Sequence, residues 1–447
     1  MNIPQSSAIT FAALLGGAAG SDDWTQEALE EASAAIQVEV GELRNVEFDD
    51  PVRVEVANKA GLIEYAVKRM DEMQLEGAMQ NSEWMAKLLG LLPHDADLEA
   101  LTMSLLEEQV GGFYDPGTKS FYLMEGFSGD LARAILAHEL THALDDRLYD
   151  LDGALRERIG HTDKTGAYMS VVEGSGTELM NRWVMKNMAR LNPEAMREFS
   201  KMGTESLQDT PTVIWKPMMA SYMAGQRFLA AGRAHLRRNE KIRDPNVALE
   251  RAFTAPPLSM EQVLHPEKYW SPEDRDDPVE VVRATAELPE GWSVMNEDVF
   301  GELQLSLVTE FADGDAAIDF SNPMSMMRIK YTNDAAAGWD GDSVALLSRG
   351  DGHLLHLVTV WDSEEEAEEF ERTMELVVEN ALSGAVAKLA GEGGAHGARI
   401  LPGASMKERV LVTWATPEAA EGEIDAVIDA LKWATAAAPS EAPAEDG

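Results

Sequence analysis

The chain has 447 residues, 45% hydrophobic and 26% charged, the composition of a globular protein with room for two or three cores. Its 79 acidic against 37 basic residues give a formal net charge of −42, which repels nucleic acid phosphates and anionic lipid headgroups and excludes both as partners. With no cysteine there are no disulfides or thiolate ligands, so any metal must be held by His, Asp or Glu.

No run of about 18 apolar residues occurs, so no integral membrane segment is expected. Residues 8–15 (AITFAALL) resemble the apolar part of an export signal, with Ala18-Ala19-Gly20 as a small-residue cleavage site before Ser21. Residues 1–7 lack the Lys or Arg such a signal carries. A periplasmic or extracellular destination and a cytoplasmic one both stay open.

In chain order, residues 21–47 are predicted helical and acidic, and 51–57 alternate as a strand does. Helices are expected at 61–73, 84–92 and 98–108. Two aromatic strands, 109–115 and 120–124, flank Asp115-Pro116-Gly117-Thr118. Pro presets φ and Gly accepts positive φ, which predicts a type II turn and a β-hairpin. The hairpin edge is expected to line a substrate groove. Next comes a helix starting near Ser128 or Asp130 and carrying His138-Glu139-Leu140-Thr141-His142. Helical periodicity puts Leu131, Ile135, His138 and His142 on one face, with Leu136, Leu140 and Leu144 opposite as a core anchor.

A loop is expected over 150–165, broken by Gly153 and Gly160, and then a second helix over 166–189. Residues 190–275 look mainly helical, with 222–229 an apolar core segment. Arg227, Arg233, Arg237, Arg238 and Lys241 read as a solvated basic face. The polar, Pro-flanked run 271–278 marks a domain boundary after a catalytic domain of 21–275. Beyond it, strands at 352–361 and 410–414 and a Ser-capped helix at 363–379 predict a smaller α+β domain over 279–435. The low-complexity tail 436–447 is predicted disordered. The fold class is α+β.

His138 and His142, four apart on one helix face, can share a tetrahedral Zn²⁺. Glu139, turned to the side of that face, can reach a zinc-bound water, whose pKa falls to about 7, and pass its proton to a leaving amine. A third ligand is required. Glu173 on the following helix is the preferred one, and Glu178 competes. Gly174 and Gly176 cost about 0.5–1 kcal/mol each in a helix, which points to close packing against the motif helix. Asp146 and Asp145, four and three residues past His142, are candidates to orient site residues from behind. Tyr222, His235 and His265 are candidate oxyanion donors, Tyr222 foremost. His161, His353, His356 and His396 lack ligand spacing and read as structural.

The run His138-Glu139-Leu140-Thr141-His142-Ala143-Leu144, with Asp146, resembles the active-site helix of thermolysin-like zinc metallopeptidases. Glu173-Gly174 is similar to the third-ligand position of the wider gluzincin group. Tyr222, Gly225 and Phe228 resemble a later gluzincin helix whose Tyr stabilises the transition state. The Gly112-Phe113-Tyr114-Asp115-Pro116 hairpin, Pro256-Pro257 with Ser259, and Leu264-His265-Pro266 with Tyr269 are similar to a poorly characterised bacterial branch. The resemblance spans residues 105–270. Thr177 stands where thermolysin-like enzymes carry an Asp, so the chain is not a close relative of those. The resemblance implies zinc-dependent cleavage of a peptide or protein substrate, with zinc on His138, His142 and Glu173, Glu139 as base and Tyr222 as oxyanion stabiliser. The alternatives are a zinc-stabilised, non-catalytic interaction protein that binds through its C-terminal part, and a hydrolase of non-peptide substrates.

Overall fold

The computed structural model describes residues 12–14, 24–72, 77–192, 207, 210–284, 287–310, 328–417 and 421–437. It is α+β, as expected, with a helical N-terminal region around a small sheet and a C-terminal region built on a five-stranded sheet. The export-signal and tail expectations fall outside the described residues, except for Ala12–Leu14 and residues 436–437, which lie in strands.

Strand β1 is Ala12–Leu14. Helix α1, Gln26–Arg44, starts where the Thr25 side chain accepts the Ala28 N–H (3.2 Å) and stops at Asn45, which turns left-handed at φ 56°. Then come β2 (Arg53–Ala57), α2 (Lys59–Glu72), α3 (Ala78–Leu88) and α4 (Leu98–Gln109). The expected hairpin follows as β3 (Val110–Asp115) and β4 (Ser120–Met124). The sheet order is β1-β3-β4-β2, with β2 parallel to β4 and the other pairs antiparallel. Strand alternation sends Tyr114, Phe121 and Leu123 into the main core. On the other face Phe113 stacks on Tyr122 (4.9 Å) and on Tyr65 of α2 (4.7 Å).

The hairpin turn differs from the type II expectation. Positive φ falls not at Gly117 but at Lys119 (φ 54°). The Asp115 carboxylate accepts the N–H of Gly117 (2.9 Å) and of Thr118 (3.1 Å), so a side chain shapes the turn. The groove expectation also changes, because the β3 edge away from β4 is paired with β1.

Helix α5, Gly129–Tyr149, carries the motif. Leu136, Leu140 and Leu144 are buried as expected, but so are Ile135, His138, Glu139, His142 and Asp145. The helix is central rather than two-faced, since α1, β3 and the helix Thr162–Asn187 all pack on it. The segment expected as a loop holds α6 (Leu151–Arg156), with Gly153 in its first turn. Helix α7 is Thr162–Asn187, and α8 is Thr212–His235. Helix α7 begins earlier than Gly166, capped by His161 and with its first N–H groups satisfied from far along the chain. Asp298 accepts the Thr162 N–H (2.7 Å) and hydroxyl (2.6 Å), and the Val299 carbonyl accepts the Asp163 N–H (3.1 Å).

The C-terminal strands are β5 (Val279–Ala284), β6 (Ser293–Asp298), β7 (Trp339–Arg349), β8 (Gly352–Trp361), β9 (Ala395–Pro402), β10 (Glu408–Thr416) and β11 (Lys432–Ala437). Strands β6-β7-β8-β10-β9 form the antiparallel sheet, and β5 pairs with β11. Alternation sends Val344, Leu346, Leu355 and Leu357 into the cluster that also holds Leu136 and Leu140 of α5. Ala345, Leu347, Leu354 and Val358 face a second core with Ile424 and Val427. The helix predicted after Ser363 is present as Glu364–Val377, with the Ser363 side chain accepting the Glu366 N–H (3.2 Å). Among the described residues no helix is long and apolar enough to cross a membrane.

Candidate metal centre

His138 and His142 meet edge to face, ring centres 4.5 Å apart, with their Nε2 atoms 2.9 Å from each other. Glu173 of α7 brings Oε2 to 3.2 Å from the His138 Nε2 and 3.6 Å from that of His142. A tetrahedral ion with bonds of about 2.0–2.1 Å has ligand–ligand edges of about 3.3–3.4 Å, so the three atoms surround a point where a small ion fits. All three side chains are buried, and the other Glu173 oxygen, Oε1, has no hydrogen-bond partner among the described residues. Such an orphaned oxygen beside two imidazoles fits a bound cation.

Burial, then the neighbouring His142, pushes the His138 pKa down against the pull of Glu173. Burial acts to raise the Glu173 pKa, but hydrogen bonds and charge from His138 and His142 outweigh it and hold the carboxyl below its ordinary value. A neutral imidazole beside an ionised carboxylate is the protonation state that metal ligation needs.

The two glycines after Glu173 divide their work. A Cβ on Gly176 would stand 2.7 Å from the His138 Cε1 and 2.8 Å from the His142 Cε1, so only glycine lets α7 approach both rings. A Cβ on Gly174 would instead lie 2.7 Å from the backbone of Gly225 on α8. The expected packing against the motif helix therefore holds at Gly176 and not at Gly174. Glu178 pairs with Arg233 and takes no part in the centre, and Arg233 is thereby paired rather than simply solvated.

Glu139 is fully buried, and its Oε2 accepts the Tyr114 N–H of β3 at 2.8 Å. Asp146 does not orient an imidazole. Among the described residues it accepts from the Tyr114 hydroxyl (2.8 Å), the Lys119 Nζ (2.6 Å) and the Leu151 N–H (3.1 Å). It fixes the hairpin that in turn holds Glu139. Asp145 turns toward Arg44 and Ser175.

Tyr222 of α8 lies at the centre, its ring 6.0 Å from that of His138 and tilted by 25°. Burial, then the charges of Glu173 and Glu139, push its phenol pKa well up, so the hydroxyl keeps its proton. The other two oxyanion candidates lie elsewhere, His235 on Asn239 and His265 on Glu302 (2.9 Å). The histidines read as structural have such partners. His161 caps α7, His353 stacks on Trp84 (3.8 Å), His356 meets Arg283 (2.9 Å) and His396 meets the Gly394 carbonyl (3.1 Å).

A second set of acids, Glu261, Asp276 and Asp362, also converges. The Lys268 Nζ already sits 2.6, 2.7 and 2.8 Å from their oxygens, so their charge has a partner. Sequence reasoning missed Tyr114 and Arg44, because neither lies near the motif in the chain.

No curated protein matches the chain. Residues 290–425 match the model of a domain of unknown function, DUF8575, and the His138, His142 and Glu173 centre lies outside that span.

Proposed function

We propose that the protein is a zinc-dependent hydrolase of peptide bonds. The observation that carries the reading is the convergence of two buried imidazoles and one carboxylate, on the helix that also carries Glu139 and its neighbour α7. Two nitrogens and a carboxylate suit zinc, whereas calcium takes six to eight oxygens at longer range. When bound, the metal supplies Lewis acidity and a water acidic near neutral pH. Glu139 takes up a proton on its carboxylate, steadied by the Tyr114 N–H, and releases it to the departing amine. The Tyr222 phenol donates to the oxygen on which negative charge develops.

The near-complete burial of the ligands favours a second reading, a zinc-stabilised protein that binds partners through its C-terminal part without catalysis. One experiment separates the two. The purified chain and its E139Q variant are each assayed for metal content and then for digestion of a broad peptide library. The expected result is one zinc per chain in both, with cleavage at least about 100-fold slower in E139Q. Zinc in both and cleavage by neither supports the second reading. A chain that takes up no zinc removes both.

A further inference from the structure

Near its C-terminal end the motif helix carries two adjacent acids, Asp145 and Asp146, both buried. Successive helical residues point about 100° apart, so each acid serves a different neighbour. Asp146 meets the hairpin through the Tyr114 hydroxyl. The Asp145 Oδ1 accepts the Arg44 Nη1 at 2.5 Å, and its Oδ2 accepts the Ser175 hydroxyl at 2.6 Å. The same Arg44 nitrogen lies 3.3 Å from the Ser175 oxygen, which closes a ring of three side chains. Arg44 is the last residue of α1, Asp145 lies on α5 and Ser175 on α7. None of the three is more than 4% exposed.

Stability does not account for this ring. Burying an ion pair costs desolvation, and well-packed apolar side chains in its place are often equally or more stabilising. What apolar packing does not do is fix one helix against another in rotation and along its axis. Helix α7 needs that restraint, because at Gly176 it meets the imidazoles with no side chain to interlock. Ser175 stands between Gly176 and Gly174, two residues from Glu173. Metal bonds tolerate departures of only about 0.2 Å, so a small slide of α7 would take the Glu173 carboxylate out of reach.

We infer that Arg44, Asp145 and Ser175 are positioning residues that set metal affinity by holding Glu173 against the two imidazoles, while Asp146 acts on Glu139 through Tyr114. The neighbouring acids thus govern metal binding and proton transfer separately. The second half rests on the hydrolase reading; the first requires only that the centre binds metal.

The test compares two variants of the full chain. In R44M/D145L/S175A the ring is replaced by apolar groups, and in Y114F only the hydroxyl that meets Asp146 is removed. The triple variant should keep a cooperative thermal transition near that of the parent. Its zinc affinity, measured by chelator competition, should fall about 10–100-fold, and the visible spectrum of its Co²⁺ form should change. Y114F should keep both the affinity and the cobalt spectrum, and lose kcat with KM unchanged. A folded triple variant with parental affinity and spectrum overturns the inference. So does a Y114F variant whose zinc affinity falls as far. If the triple variant does not fold, S175A alone decides, because it leaves the ion pair in place: weakened zinc binding supports the inference and parental binding overturns it. If no chain cleaves peptide, the hydrolase reading fails, while the affinity comparison still decides the role of the ring.

Discussion

At position 176 there is no room for a methyl group, because both imidazole edges lie inside 3 Å of where it would stand. The neighbours are ring edges rather than backbone, so the helices can stay packed while the rings turn aside. G176A is therefore expected to fold with a thermal midpoint close to the parent and to bind zinc about 10–100-fold more weakly by chelator competition. Parental affinity in that variant would show that the close approach is incidental to the metal. His138, His142 and Glu173 were legible in the sequence because helical spacing and flanking glycines are local properties. The roles of Arg44 and Tyr114 were not. Arg44 reaches Asp145 across 101 residues of chain, and the Tyr114 contact with Glu139 is a backbone N–H that only the strand's placement on α5 aims. Asp146 shows the same limit, since its position four residues past His142 marks it as a support for some site residue, and only the folded hairpin supplies its partners, a tyrosine and a lysine.

Elements defined by their own periodicity appear where the sequence places them, such as the hairpin, the motif helix and the Ser363-capped helix. Elements whose ends are set by distant groups do not. Helix α7 begins at Thr162 because Asp298 and Val299 satisfy its first N–H groups, and the turn at Asp115 follows a side chain rather than its Pro-Gly pair. A strand of the C-terminal sheet has a pH dependence of its own. Burial, then the charge of Arg283, pushes the His356 pKa down to about 3, against about 6.5 when unfolded. The unfolded chain thus takes up the proton first as pH falls. The stability linked to His356 is fully present above about pH 6.5 and is lost as pH drops toward 3. Urea unfolding across that range should show a shallower acid loss of stability in H356Q than in the parent. His161, pushed down to about 4 mainly by burial, adds a loss of the same sign that H356Q leaves in place.

Over the whole molecule, the centre and the C-terminal sheet share one core. Leu303, Leu305 and Leu307 of the helix Gly301–Thr309 belong to the same buried cluster as Leu136 and Leu140 of the motif helix. Asp298, which caps the ligand helix, and Asp362, which meets Lys268, both lie within residues 290–425. The Pro-flanked run 271–278 looks in the sequence like a place where one unit ends. A chain stopped at residue 278 would lose the Asp298 and Val299 acceptors at the start of α7, the apolar cover given by the helix Gly301–Thr309 and one of the three carboxylates around Lys268. The first loss leaves buried polar groups unpaired and the second exposes apolar surface at the helix that carries Glu173, and removal of buried polar partners alone costs about 1–3 kcal/mol each. Native domains hold only about 5–15 kcal/mol in total. The fragment 1–278 is therefore expected to show no cooperative thermal transition by circular dichroism and no zinc binding at parental affinity. A fragment that melts cooperatively and competes with chelator as the full chain does would show that the centre stands without the C-terminal sheet. Failure in both respects would make the matched domain a structural part of the metal centre, acting on Glu173 through the start of α7.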